Sequence, residues 1–251
     1  MEGSVYYTIG YSSTYIDVTK LSIDTLLASG YKGDILVLCD NSLMDQCVDK
    51  LGPTIRYIAM PDSKSPQEAS MHKLCIFDSP LAYDYDVLLF IDSDIVVHTD
   101  VTQILTQVVQ KDILYVGTES TKFDDHKYIY WSLNNYTSEQ LENFEKESIF
   151  VFNAGCFAFV CNDIMKKHFQ NVLSLIDNYV GEFFYEQSFM NVYFNLANNT
   201  DRTLLGRDKY VITNDTEINH TGKLIHFTGN PGNGMNKITM MSSYINTHFT
   251  I

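Results

Sequence analysis

Basic residues are scarce in this sequence: 17 lysines and arginines stand against 31 aspartates and glutamates, for a formal charge of −14. Such a balance excludes a nucleic-acid-binding surface, which needs basic stripes to meet phosphates. It leaves room for a phosphate-bearing small molecule, because a bound metal ion can supply the positive charge locally. Cysteine is sparse and unpatterned, five residues with no Cys-x-x-Cys pair. That excludes a disulfide framework and points to reduced thiols in a cytoplasmic protein. The sequons at Asn135, Asn198, Asn214 and Asn219 are then expected to be unmodified. No apolar run approaches transmembrane length, and Met1-Glu2-Gly3-Ser4 leads straight into Val5-Tyr6-Tyr7. Neither a signal peptide nor a membrane span is expected. Repeats, low-complexity tracts and linkers are also missing, so the 251 residues read as one domain.

What the chain has in quantity is apolar and aromatic side chains, 45% and 13% of it, enough for a substantial core. Tyr6-Tyr7-Thr8-Ile9-Gly10 reads as a first strand. A helix capped by Ser12 or Ser13 follows, carrying Ile16, Ile23, Leu26 and Leu27 to a stop at Gly30. Ile35–Asp40 is a second strand of buried type, and a short helical stretch to Lys50 and the Gly52-Pro53 break lead to a third strand, Ile55–Ala59. This alternation predicts a mainly parallel sheet with right-handed crossovers. Ser65-Pro66-Gln67-Glu68 is a capping box with proline at the first helical position, predicting a helix through Phe77. The run Val87-Leu88-Leu89-Phe90-Ile91-Asp92-Ser93-Asp94-Ile95-Val96-Val97 reads as a fully buried central strand ending in two carboxylates. A helix over Val101–Gln110 and a strand over Ile113–Gly117 come next. From Thr118 to Ser148 the periodicity dissolves, which suggests a substrate-facing excursion that includes the single tryptophan, Trp131. Phe150–Val160 restores the strand signal. Helices over Asp163–Tyr179 and Tyr185–Leu196, strands at Tyr210–Ile212 and Leu224–Phe227, and a closing helix over Asn236–Thr247 complete the chain.

Asp92 and Asp94 at the carboxyl end of an apolar strand occupy the place where open α/β sheets bind ligands. Two unpaired carboxylates there would cost several kcal/mol each, roughly, so a cation should meet them. A pair of surface acids at a turn is the bland alternative, and the preceding Val-Leu-Leu-Phe-Ile run argues against it. An apolar strand ending in Asp-x-Asp also begins phosphatases of the haloacid-dehalogenase type, but those place it near the start of the domain. Here three α/β units precede it. His226 lies after Leu224-Ile225 and before a turn rich in Gly and Asn, where backbone N–H groups can approach a phosphate. A histidine alone is more often structural. With two aspartates it makes a mixed N/O set suited to Mn²⁺, with Mg²⁺ as the alternative. Lys237, opening the last helix, can add charge to that anion site.

Taken together in this order, these segments resemble the GT-A-fold nucleotide-sugar glycosyltransferases, and most closely the retaining glycogenin/galactosyltransferase family eight. The resemblance implies a GT-A fold: a Rossmann-like, mainly parallel central sheet flanked by helices, with a small second antiparallel sheet. Residues 1–117 would form the nucleotide-binding half and 118–251 the acceptor- and sugar-binding half. Tyr7-Thr8-Ile9-Gly10 through Tyr15 is similar to the strand and turn that hold uracil and ribose, with Tyr15 against the base. His72-Lys73-Leu74 resembles the family's Thr-Lys-Leu, whose lysine faces the donor. Phe90-Ile91-Asp92-Ser93-Asp94 resembles its Asp-x-Asp motif, which binds metal and ribose. Phe152-Asn153-Ala154-Gly155 is similar to its Phe-Asn-Ser-Gly near sugar and acceptor, and Glu186-Gln187 to the Asp-Gln beside the sugar. His226-Phe227-Thr228-Gly229 resembles the His-Phe-x-Gly that supplies the third metal ligand after Asp92 and Asp94. By this resemblance Asn153, Glu186 and Gln187 are catalytic candidates. Thr8, Ile9, Gly10, Tyr15, Lys73, Ser93, Ala154, Gly155, Gly229 and Lys237 are donor-binding ones. Two departures stand out. Asn-Pro-Gly-Asn-Gly replaces the family's Lys-Pro-Trp, leaving Lys237 as the substitute for the diphosphate lysine, and Glu186 replaces aspartate.

The implied activity is metal-dependent transfer of a hexose from a UDP-sugar to an acceptor hydroxyl with retention of configuration. The acceptor would be a glycan, a protein or a lipid-linked saccharide, and the protein a monomer or a homodimer. The alternatives are the phosphatase and a catalytically inactive nucleotide- or carbohydrate-binding module of the same fold.

Overall fold

The computed structural model describes residues 2–118, 139, 142, 151–178, 185–206, 208–213, 223–228 and 234–249. The expected excursion after Thr118, and Gly229, lie outside the described residues.

The amino-terminal quarter alternates as expected: β1 (Gly3–Ile9), α1 (Thr14–Ala28), β2 (Ile35–Asp40), α2 (Met44–Leu51), β3 (Arg56–Met60). Gly30 has φ +104 and its N–H reaches the Leu27 carbonyl. This is the left-handed residue that ends a helix without the cost a Cβ would bring. Ser65 caps α3 (Pro66–Met71) by accepting from the Glu68 N–H at 3.2 Å. The helix expected to run on to Phe77 stops early, and residues His72–Asp78 tighten into a 3₁₀ turn. Tyr6 explains part of this, because its hydroxyl donates to the Lys73 carbonyl at 3.0 Å.

All five residues of β4 (Val87–Ile91) are buried. It pairs in parallel with β1 and antiparallel with β7 (Phe152–Val160), with Ile91 opposite Cys156. β6 (Leu114–Thr118) and β8 (Thr200–Asp201) complete a seven-stranded sheet of order β3-β2-β1-β4-β7-β6-β8, in which four of the six pairings are parallel. One face carries an aromatic stack in which Phe90 and Phe157 lie 4.9 Å apart, centroid to centroid. The other face carries Val5, Val37, Leu89 and Ile91 against α1.

Ile95–Val97 does not continue β4. It forms β5 in a second sheet, antiparallel to β10 (Leu224–Phe227), which in turn runs parallel to β9 (Tyr210–Thr213). The second sheet is therefore mixed, one parallel and one antiparallel pairing, where the expectation had it antiparallel. Between the sheets, α4 (Thr102–Leu105) is shorter than the helix expected to reach Gln110. The Tyr115 hydroxyl accepts from the N–H groups of Val109 and Gln110, which a continuing helix would have bonded internally. After β7 come α5 (Asp163–Asp177), capped by Asn162, then α6 (Glu186–Leu196) and α7 (Gly234–His248). α7 packs with α1 and the second sheet through Val18, Val96, Ile225, Phe227 and Tyr244. Among the described residues no helix is long and apolar enough to cross a membrane.

Candidate active site

The site forms where β4 ends. The Asp92 N–H donates to the Gly155 carbonyl at 2.7 Å and the Ile95 N–H to the Asp92 carbonyl at 3.2 Å, so the chain turns sharply over Asp92-Ser93-Asp94. The Phe227 N–H donates to the Asp94 carbonyl at 2.9 Å. That bond ties the turn to β10 and brings His226 beside it. One ligand atom each of Asp92, Asp94 and His226 lies within 4.8 Å of the others. His226 Nε2 is 3.0 Å from Asp94 Oδ1 and 3.9 Å from Asp92 Oδ2. Asp94 and His226 are buried, while Asp92 keeps an opening towards the cavity. Gly155 makes this approach feasible: a Cβ there would lie 2.5 Å from His226 Cε1 and 2.7 Å from Asp92 Oδ2.

Two lysines answer the carboxylates. The Lys73 ammonium, almost fully buried, lies 2.7 Å from Glu186 Oε1, 3.3 Å from Asp92 Oδ1 and 3.2 Å from the Ala154 carbonyl. It also sits 4.6 Å above the Phe90 ring, a geometry the ring quadrupole favours. Burial alone would lower its pKa, but Asp92 and Glu186 outweigh burial and raise it above the ordinary lysine value. Lys237 is ion-paired with Asp94. Its pKa is also raised, burial being outweighed chiefly by Asp94. For Asp94 burial works upward, and His226 and Lys237 together hold the carboxyl well below the usual carboxylate range. The second oxygen of Glu186, Oε2, is buried without a hydrogen-bond partner among the described residues.

These groups line a cavity of about 300 Å³. Of the residues expected from sequence, Thr8, Gly10, Tyr15, Lys73, Asp92, Ser93, Asp94, Glu186, Gln187, His226 and Lys237 face it. Ile9 points into the core instead, and Asn153, Ala154 and Gly155 lie behind the lining. Asn153 Oδ1 accepts from the Gly155 N–H and from the Tyr210 hydroxyl, both at 2.7 Å. The Ala154 N–H donates to Gln187 Oε1 at 3.0 Å. The Ser93 hydroxyl donates to the Thr8 carbonyl at 3.2 Å and accepts from Thr19 at 2.7 Å, which clamps the Asp-x-Asp turn to β1.

Sequence reasoning passed over six lining residues, Tyr11, Pro66, Ala69, Ser70, Tyr185 and Thr228. Tyr11 has φ 64, the left-handed region that costs a bulky residue of order 1–3 kcal/mol. Its N–H donates to Asp40 Oδ2 at 2.7 Å, and the ring remains half exposed at the mouth of the cavity. An aromatic residue held this way carries no local signature. Tyr210, behind His226, is the other omission.

The donor set fits a divalent cation. Two carboxylates and an imidazole nitrogen converge, Gly155 leaves them room, and a histidine beside carboxylates suits Mn²⁺ more than an oxygen-only magnesium cage.

The sequence matches no known family profile and no curated protein. Solved structures do match. A galactosyltransferase, LgtC, in complex with donor and acceptor sugar analogues, superposes with a TM-score of 0.61 at 12% identity, over 96% of this chain and 95% of that one. An active-site mutant of LgtC gives 0.59 at 11% identity, with the same coverage. The chain has the GT-A fold. A bifunctional glycosyltransferase, WbbM, in its apo form, also matches at 0.61 and 16% identity, over 96% of this chain and 50% of that longer one. The Asp92–Asp94–His226 cluster stands at the carboxyl end of the central strand of this GT-A sheet.

Proposed function

We propose that the protein is a metal-dependent glycosyltransferase that moves a hexose from a UDP-sugar to an acceptor hydroxyl with retention of anomeric configuration. The observation that carries the reading is the convergence of Asp92, Asp94 and His226 on a cavity already supplied with two lysines and an unpartnered carboxylate oxygen. The GT-A fold, shared with two glycosyltransferases, supports the same conclusion.

In this reading Asp92, Asp94 and His226 hold Mn²⁺ or Mg²⁺. Such a cation would supply Lewis acidity to the diphosphate of a bound UDP-sugar. Tyr15, with Tyr11 beside it, forms the aromatic wall for the base, and Thr8 and Gly10 let the nucleoside approach β1. Lys73 faces the donor from the buried side. Lys237 takes the place of the family's diphosphate lysine, exchanging Asp94 for phosphate oxygens. Glu186 Oε2, lacking a partner, accepts from a sugar hydroxyl, and Gln187 orients the ring. The bond from the anomeric carbon to the phosphate oxygen breaks with its electron pair going to UDP. The acceptor oxygen bonds to the same face and its proton passes to the departing phosphate.

A thermal-shift screen of UDP-hexoses with Mn²⁺ tests the assignment. Ligand at a hundred times its Kd stabilises by about 2.7 kcal/mol, roughly 5–10 °C in Tm for a domain of this size. The expected result is such a shift for one UDP-hexose, lost with a chelator. No shift with any UDP-sugar, together with cleavage of simple phosphomonoesters, would replace this reading with the phosphatase one.

A further inference from the structure

We infer that Tyr210 and Asn153 set the tautomer of His226, so that the imidazole presents its Nε2 lone pair to the cation site. The inference rests on reading Asp92, Asp94 and His226 as that site; it gives Asn153 a positioning part and brings in Tyr210, which the sequence pattern does not single out.

The argument is one of counting protons along a buried chain. Asn153 Oδ1 meets the Gly155 backbone N–H at 2.7 Å. A backbone N–H can only donate, so the atom it meets is the amide oxygen and not the NH₂ group. An amide oxygen can only accept, so the Tyr210 hydroxyl, 2.7 Å away, spends its single proton on it. On its other side that hydroxyl lies 2.5 Å from His226 Nδ1. With its proton committed, the hydroxyl oxygen accepts there, and Nδ1 carries the hydrogen. The hydrogen that Nε2 shares with Asp94 Oδ1, 3.0 Å away, in the metal-free protein is then the one a cation would displace, which leaves the lone pair on Nε2, 3.9 Å from Asp92 Oδ2. Fixing a ligating histidine through its other ring nitrogen orients the ring and settles which nitrogen binds.

The surroundings hold Tyr210 in place. Its residue is 1% exposed, and its ring lies over Gly117, where a Cβ would come within 2.6 Å of Tyr210 Cδ1. Gly117 stands where the β6–β7 register shifts. The orientation of the one nitrogen ligand thus depends on β9 through Tyr210, β7 through Asn153 and β6 through Gly117. Tyr210 is a positioning residue, since it acts on the cation only through His226.

The test is Mn²⁺ affinity without any substrate, read from the electron paramagnetic resonance of the free ion. Tyr210→Phe keeps the ring over Gly117 and removes only the hydroxyl. It should bind Mn²⁺ about 10–100-fold more weakly, while its metal-free circular dichroism stays that of the parent. Asn153→Leu removes the amide oxygen that takes the Tyr210 proton, so the hydroxyl donates to Nδ1, which reverses the tautomer, and should weaken Mn²⁺ comparably with the hydroxyl intact. Long-range ¹H–¹⁵N correlation spectra of the Zn²⁺-loaded parent should show His226 protonated at Nδ1. Equal Mn²⁺ affinity in the parent and a folded Tyr210→Phe, or an Nε2–H tautomer, overturns this inference and leaves the cation site standing. Absence of Mn²⁺ binding by the parent overturns both.

Discussion

The seven-stranded sheet brings Asp92 to the site from a strand buried along its whole length, whereas the three-stranded sheet brings His226 on a strand of four residues. The first is anchored by parallel and antiparallel neighbours and by the Phe90–Phe157 stack. The second is anchored by a few backbone bonds to the Asp-x-Asp turn and by α7. In the large sheet, stability is spread over many apolar contacts. In the small one, a handful of polar groups decides what the site can bind. The two regions should therefore fail differently when perturbed.

The largest stability change belongs to the large sheet. Phe157→Ala, removing a fully buried ring, should cost about 3–5 kcal/mol in urea unfolding while leaving Mn²⁺ affinity near that of the parent. A large loss of Mn²⁺ affinity in the folded variant would erase the contrast. Asp94→Ala reverses the pattern. It removes a ligand oxygen and leaves Lys237 and His226 without their shared counter-ion, so transfer should fall about a thousandfold at saturating Mn²⁺, on the order of 4 kcal/mol. Initial rates with a UDP-hexose check it. Gly155→Ala joins the regions, because its Cβ would displace both His226 and Asp92. Mn²⁺ affinity should drop roughly tenfold, the lower end for disturbing the support of a ligand, measured beside a circular dichroism spectrum that stays native.

The smallest effect is on acid stability. Asp94 titrates below its ordinary value in the folded protein, while in the unfolded chain it takes a proton near about 3.9. Its stabilisation is therefore complete above that pH and is lost as the pH falls towards the folded value, where the unfolded state binds more protons. Asp94→Asn should flatten that part of the acid limb in stepped-pH urea titrations. An unchanged slope would mean that the His226 and Lys237 contacts do not hold the carboxylate.

Much of the large sheet was legible because its strands are continuous apolar runs, and β4 announced both its burial and its terminal acids. The change of sheet after Asp94 was hidden, since Ile95-Val96-Val97 continues the same apolar pattern that marks a single strand. Lys73 could be placed on a helical segment, but not the 3₁₀ turn there, in which its carbonyl meets the Tyr6 hydroxyl. His226 was visible beside its glycine-rich turn. Tyr210 was not: a tyrosine opening a four-residue strand has no pattern that separates a core ring from the partner of a histidine. Tyr11 was equally silent, because its left-handed backbone depends on the Asp40 carboxylate across the sheet.

Isothermal titration of UDP into the protein with and without Mn²⁺ tests the central claim most directly, in the parent and in His226→Ala. The account predicts binding by the parent that disappears when the metal is chelated, and binding at least tenfold weaker in His226→Ala. UDP binding of the same strength in chelator, or none in either condition, would contradict it.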